Sequence, residues 1–169
     1  MPEPWLRGTL TDVPAVPRGT LHALELAHED ITKWCGGLAD DELNATPAGL
    51  APVAFHLRHI ARSLDRLLTY AEGRQLDARQ LAALNEELGP RATREELFGE
   101  LNRALESSAA RLRALAIQDL ESPRVVGKKR LPTTLGGLLV HIADHTLRHT
   151  GQAITTTKVI MALRGNRAE

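Results

Sequence analysis

Apolar residues recur along this chain with the spacing of amphipathic helices. Leu21, Leu24, His28, Ile31 and Cys35 share one helical face and Gly36-Gly37 ends the pattern, which predicts a first long helix over about 19–36. Pro52 occupies a position tolerated in a first helical turn. Val53, Leu57, Ile60, Leu64, Leu67 and Leu68 then form the stripe of a second long helix, ending near Gly73. Asp77-x-x-Gln80 opens a short helix that breaks at Gly89-Pro90, and Thr93-x-x-Glu96 is a capping box opening a third long helix through Leu97, Leu101, Leu105, Leu112 and Leu115. Thr133 or Thr134 caps a last helix that continues to about Arg164, before Gly165. Residues 118–132, with Pro123, Val125-Val126-Gly127 and Lys128-Lys129-Arg130, are too few and too polar to add a layer and predict a loop or small hairpin. Pro2, Pro4, Pro14 and Pro17 predict an extended arm over residues 1–17, because each proline fixes its own backbone and biases the residue before it away from helix.

Four long amphipathic helices without a set of strands predict an all-α four-helix bundle, in a single domain spanning residues 1–169. The second helix is about 34 Å long at 1.5 Å per residue. Residues 73–92 can span that length while carrying their short helix. The second and third helices can therefore run parallel, giving an up-down-down-up bundle with a short extra helix in the crossover.

Composition narrows the function classes. Lys plus Arg number 21 and Asp plus Glu number 21, so no net field favours nucleic acid or an anionic membrane. Aromatics make up 3% of residues, too few for base-stacking platforms. No apolar run approaches the roughly 18 residues needed to span a bilayer, and the N-terminus lacks a basic stretch followed by an apolar one. The single cysteine, Cys35, excludes an intrachain disulfide framework and fits a reducing, cytoplasmic compartment. Cys35 lies on the first helix's apolar stripe, as a small core residue does.

The candidate chemistry is histidine. Of seven histidines, five lie on two helices: His56 and His59 on the second, His141, His145 and His149 on the last. His145 and His149 fall near the middle of the stripe made by Leu135, Leu138, Ile142, Ala153 and Ile160, so both imidazoles are expected to point into the bundle. Burying an unpaired imidazole donor or acceptor costs on the order of 1–3 kcal/mol. The i, i+4 spacing presents two such nitrogens to one metal ion, with the other ring nitrogens left for outer partners. On the second helix the wheel puts His56 about 60–70° from the stripe centre and His59 about 130° from it, which favours His56 as a third ligand. His141 lies at the edge of its stripe, as a pocket or outer-shell residue; Gln152, Tyr70 and His28 are further pocket candidates, although His22 and His28 also read as core histidines of the first helix. A Ser63, His59, Asp144 triad matches catalytic triads in residue types alone, and Asp144 is expected in solvent. Lys128-Lys129-Arg130 reads as a solvated loop near the last helix, able to attract an anion. No Gly-x-Gly-x-x-Gly, phosphate loop or Cys-x-x-Cys is present.

The segments Phe55-His-Leu-Arg-His-Ile-Ala-Arg-Ser-Leu-Asp-Arg-Leu-Leu68 and Gly136-Gly-Leu-Leu-Val-His-Ile-Ala-Asp-His-Thr-Leu-Arg-His-Thr-Gly-Gln152 resemble the DinB-like (DinB/YfiT) superfamily. The resemblance covers nearly the whole chain and implies a four-helix bundle, often homodimeric, with one metal held by one His of the second helix and two ligands four apart on the last. Carried over by position, the second-helix ligand is the His before an Ile-Ala pair, His59 before Ile60-Ala61, with His56 in reserve; the pair on the last helix is His145 and His149, followed by Gly151-Gln152. Many members have Arg where this chain has Thr150. The resemblance implies one divalent ion, zinc or nickel. It also implies a small-molecule substrate, since characterised members include metal-dependent transferases using low-molecular-weight thiols such as mycothiol or bacillithiol, and others are read as hydrolases. The alternative is a non-catalytic metal-binding or stress-related dimeric module. Three neutral histidines leave positions open on zinc or nickel, which suits bound water or substrate.

Overall fold

The computed structural model describes residues 1–87 and 89–165. Leu88 and residues 166–169, the end of the expected single-domain span, lie outside the described residues. The order of elements is α1 (Ala15–Cys35), α2 (Asp40–Leu43), α3 (Val53–Ala71), α4 (Ala78–Asn85), α5 (Arg94–Leu115), a hairpin of β1 (Pro123–Val126) and β2 (Leu131–Thr134), and α6 (Leu135–Gly165). The helix starts follow their side chains. Asp77 accepts from the Gln80 N–H at 2.8 Å, Thr93 accepts from the Glu96 N–H at 3.2 Å, and Thr134 accepts from the Gly137 N–H at 3.1 Å, each satisfying a donor left orphaned by the first turn.

Four long helices form a ring in which α1 and α3 each pack on both α5 and α6. Cross-helix bonds give the directions. Thr20 donates to the Leu139 carbonyl and Cys35 meets Thr157, so α1 and α6 run the same way. Arg62 reaches Glu100 while Arg111 reaches Asp65 and Glu72, so α3 and α5 run together as well. His59 lies against His145 and Thr156 reaches back to Ala51, so α3 and α6 are opposed. Leu57, Ile60, Leu64 and Leu68 of α3 meet Leu97, Leu101 and Leu112 of α5 and Leu135, Leu139 and Ile142 of α6 in the buried core. Each such side chain contributes about 1.5–3 kcal/mol when fully buried.

Two parallel neighbours, α3 and α5, need a crossover as long as the helix, and its course matters. Gln80 donates to Asp65 and Thr69 near the end of α3, the Ala83 carbonyl accepts from Arg62, Glu87 meets His59, and the Pro90 carbonyl accepts from Arg58. The chain therefore travels back along α3 from its C-terminal end towards its start, and delivers Glu87 beside a histidine on the way.

The N-terminal segment departs from the extended arm expected over 1–17. Residues Pro4–Leu6 form a 3-10 turn, Arg7 makes two bonds of 2.6 and 2.7 Å to Glu29, and Thr9 lies 3.2 Å from the buried His22 ring. Helix α1 already begins at Ala15 with Pro17 in its first turn, where a missing N–H removes no helical hydrogen bond. Among the described residues no helix is long and apolar enough to cross a membrane.

Candidate metal centre

His59, His145 and His149 each offer a ring nitrogen, and the three nitrogens all lie within 4.8 Å of one another. The three rings stand tilted to one another in a triangle, with centroids 4.9 Å between His59 and His145, 4.2 Å between His59 and His149, and 4.7 Å between His145 and His149. All three are half-buried on the seam between α3 and α6. This is shallower than the wheel predicts for α6. The innermost positions there belong to Thr146, Thr150, Ala153 and Thr157, small enough for α6 to approach its neighbours closely. Thr150 and Thr157 return their hydroxyl protons to the carbonyls one turn earlier, so these buried hydroxyls are satisfied within the helix.

Each of the three imidazoles has a different outer partner. His59 Nδ1 lies 2.6 Å from Glu87 Oε2, so its proton is held on Nδ1 and Nε2 carries the lone pair. Ser63 donates its hydroxyl proton to the Ile60 carbonyl at 3.1 Å, which leaves its oxygen to accept from His145 Nδ1 at 3.5 Å. His145 Nε2 is then also a lone pair. It faces His59 Nε2 at 3.2 Å. Two lone pairs turned on each other repel unless a cation lies between them, and two ligands of one tetrahedral ion with bonds of about 2.05 Å stand about 3.3 Å apart. The donor set and its spacing therefore fit a divalent metal.

His56, the reserve ligand, has another place. It is only 4% exposed, deeper than His59 as the wheel expects, and its Nδ1 lies 3.2 Å from His149 Nδ1. A proton given by His149 Nδ1 to His56 leaves His149 Nε2 free for an ion, so His56 is placed as the outer partner of His149. Phe55 stacks on His59 at 5.4 Å between centroids and covers one side of the cluster.

The charge states agree with this arrangement. Burial, and then the neighbouring imidazoles, lower His56, His145 and His149 from 6.5 to about 4. For Glu87 burial acts to raise the carboxyl, but the contact with His59 and the ion pair with Arg66 bring it below its usual value. At neutral pH the lowered imidazoles are neutral, as metal binding requires.

A pH dependence follows. Because these histidines bind protons less readily folded than unfolded, they oppose folding progressively as pH falls from about 6.5 towards 4. The melting temperature of chelator-treated protein is expected to drop by several degrees between pH 7 and pH 5, and by less in a His145→Leu variant. A flat profile for both proteins contradicts the packing of these rings.

The model of the DinB superfamily matches residues 23–153, well over half of the chain. The chain belongs to the DinB superfamily. Among curated proteins, none matches the sequence. The matched span of this DinB superfamily member runs from within α1 to just beyond His149 on α6, and so contains the whole histidine cluster.

Several residues expected near the site lie elsewhere. His28 is exposed and lines a groove between α1 and α5 with Leu24 and Leu105, on the other side of the bundle. Tyr70 is buried eleven residues beyond His59, about 16 Å along α3. Gln152 is exposed. His141 is exposed too, its ring 5.5 Å from that of His145 at the rim of the cluster. Cys35 is fully buried against Thr157 at 3.3 Å, about 12 Å along α6 from His149, and burial pushes its thiol up. Asp144 is in solvent and pairs with Arg148 one turn on. Lys128, Lys129 and Arg130 form the exposed turn of the hairpin. Glu87 was absent from the sequence reading altogether.

Proposed function

We propose that this DinB superfamily member holds one divalent ion, zinc or nickel, through Nε2 of His59, His145 and His149, and is an enzyme acting on a small molecule at that ion. The observation that carries the reading is the convergence of three lone-pair nitrogens on a half-exposed seam, with no fourth protein ligand among the described residues. Such a metal supplies activation of a bound water or of a substrate thiol. The chain's part is to hold three neutral imidazoles in place through Glu87, Ser63 and His56, and to leave one side of the cluster open to substrate. The reactions supported are transfer to a low-molecular-weight thiol and hydrolysis. A single, fully buried cysteine suits the reducing cytoplasm in which such thiols occur.

Metal-loaded protein is expected to turn over at least one member of a panel of electrophiles offered with low-molecular-weight thiols, or of a panel of hydrolysable esters and amides, and to lose that activity on chelation. Zinc bound without turnover, together with a melting temperature that collapses on chelation, would instead favour a metal that only ties α3 to α6.

A homodimer is part of the same proposal. Val140, Leu147, Ile154 and Met161 recur every seven residues along the outer side of α6, and the end members are 59% and 50% exposed. An apolar stripe with that spacing is what a second helix covers. Light scattering is expected to give twice the chain mass for the native protein and the monomer mass for a Val140→Glu, Met161→Glu variant; a native monomer at the same concentration contradicts the pairing.

A further inference from the structure

A second feature lies further along α3, on the side that faces α4 and α5. A cavity of about 280 Å³ opens between α3, α4 and α5, and its lining includes Arg62, Asp65, Arg66, Arg79 and Glu100. Gln80 and alanines 61, 83 and 104 complete the wall. Its two carboxylates are already engaged. Asp65 accepts from Arg111 and from Gln80, both at 2.8 Å, and Glu100 accepts from Arg62 at 2.9 Å.

The arginines are less completely used. Arg66 is 8% exposed, and its Nη1 lies 2.7 Å from Glu87 Oε1. That contact is an ion pair without an aligned hydrogen bond: among the described residues, neither Arg66 Nη1 nor Glu87 Oε1 has a hydrogen-bond partner, and both are buried. Glu87 thus answers the charge of Arg66, while the Nη1 donor has no aligned acceptor. The guanidinium fork matches the oxygens of a carboxylate or phosphate. Arg79 is exposed on the α4 side of the same cavity.

The cavity is also close to the histidines. His59, Arg62 and Arg66 stand at i, i+3 and i+7 on α3, which puts the two arginines about 4.5 and 10.5 Å further along the helix than His59. Glu87 joins the two places, one oxygen on His59 and the other beside Arg66.

We propose that this cavity binds an anionic group, a carboxylate or a phosphate, and that Arg66 and Arg79 are the residues that hold it. Resting on the metal-centre reading, the group belongs to the small molecule whose reactive part lies at the histidines, so the substrate class is a small carboxylic acid or phosphate ester. The cavity has room for more than a lone ion, since a water molecule occupies about 30 Å³ of liquid.

The test is calorimetric titration of chelator-treated protein with succinate in one series and inorganic phosphate in another. At least one of the two is expected to bind with a dissociation constant in the millimolar range. Arg66→Lys keeps the charge facing Glu87 but loses the fork, and Arg79→Ala changes an exposed side chain that the fold does not need. Each is expected to weaken binding about tenfold, as the loss of one charge-assisted hydrogen bond does, while circular dichroism stays native. No binding of either anion by the native protein, or equal binding by both variants, overturns the proposal. Because the titration contains no metal, its outcome is independent of zinc binding, which is measured separately on the same preparations. Native protein that takes up zinc but neither anion leaves the metal centre standing and removes the anion site alone.

Discussion

Alanine at position 145 is expected to cut bound zinc from about one ion per chain to background, with affinity falling by at least about a hundredfold. The lower limit follows from what lesser changes do: removing an outer partner of a ligand costs 10–100-fold in metal affinity, and removing the ligand itself costs more. His145 is the sensitive position because its Nε2 faces that of His59 at 3.2 Å, so both halves of the lone-pair encounter are lost together. The fold is expected to survive. The ring is half-buried, alanine favours helix, and the core contacts of α6 are made by Ile142, Thr146 and Thr150 on its inner side. Competition against a chromophoric chelator measures the change; an affinity within a few-fold of native removes His145 from the ligand set. His56→Ala is the useful contrast. It takes away only the partner of His149, and a loss nearer tenfold is expected.

The second large effect belongs to Glu87. Glu87→Gln is expected to lower zinc affinity about tenfold and Glu87→Ala about a hundredfold. Glutamine still accepts the His59 Nδ1 proton, but a neutral amide raises the basicity of Nε2 less than a carboxylate does. Alanine removes the acceptor and frees the ring to turn. Both changes leave Arg66 without its counter-charge in a buried place, so the melting temperature of the metal-free protein should fall as well. Chelator competition and thermal melting on the same samples separate the two effects. Zinc affinity unchanged in Glu87→Ala would mean that the 2.6 Å contact does not hold the His59 tautomer.

Why Glu87 escaped the sequence reading is instructive. Periodicity reports on residues that belong to a helix face, and Glu87 lies just past α4, in a break with no stripe to be assigned to. Its place depends on the crossover running back along α3, which follows from Arg62 holding the Ala83 carbonyl and Arg58 the Pro90 carbonyl. Helix and linker lengths allow a parallel course of α3 and α5, but they carry nothing on the register of the linker against α3.

The long helices are legible because each carries both a stripe and a punctuation signal: the Gly36-Gly37 stop of α1, Pro52 just ahead of α3, the Thr93 box of α5 and Thr134 ahead of α6. The site was legible in part. Helix spacing alone joined His145 to His149, but it ranked His56 above His59 because a wheel measures depth, and the deepest imidazole is not the one that converges with the others. Resemblance at Ile60-Ala61 pointed to His59. His28 shares the apolar face of the first helix, but a stripe does not say which neighbour it meets; its side of α1 faces α5, away from the histidines. The prolines suggest an extended arm only when counted together: Pro17 sits in the first turn of α1, Pro14 at its N-cap and Pro4 in the 3-10 turn. Small residues misled on α6, where threonines occupy the inner line and shift the histidines outward to the seam.

The most direct measurement is an anomalous difference map from crystals of zinc-loaded protein. A single strong peak is expected on the seam between α3 and α6, about 2.0–2.1 Å from one ring nitrogen each of His59, His145 and His149. Glu87 should be seen on the far nitrogen of His59 and not on the ion. Absence of a peak there in protein saturated with zinc, with His59 and His145 hydrogen-bonded to each other instead, would contradict it.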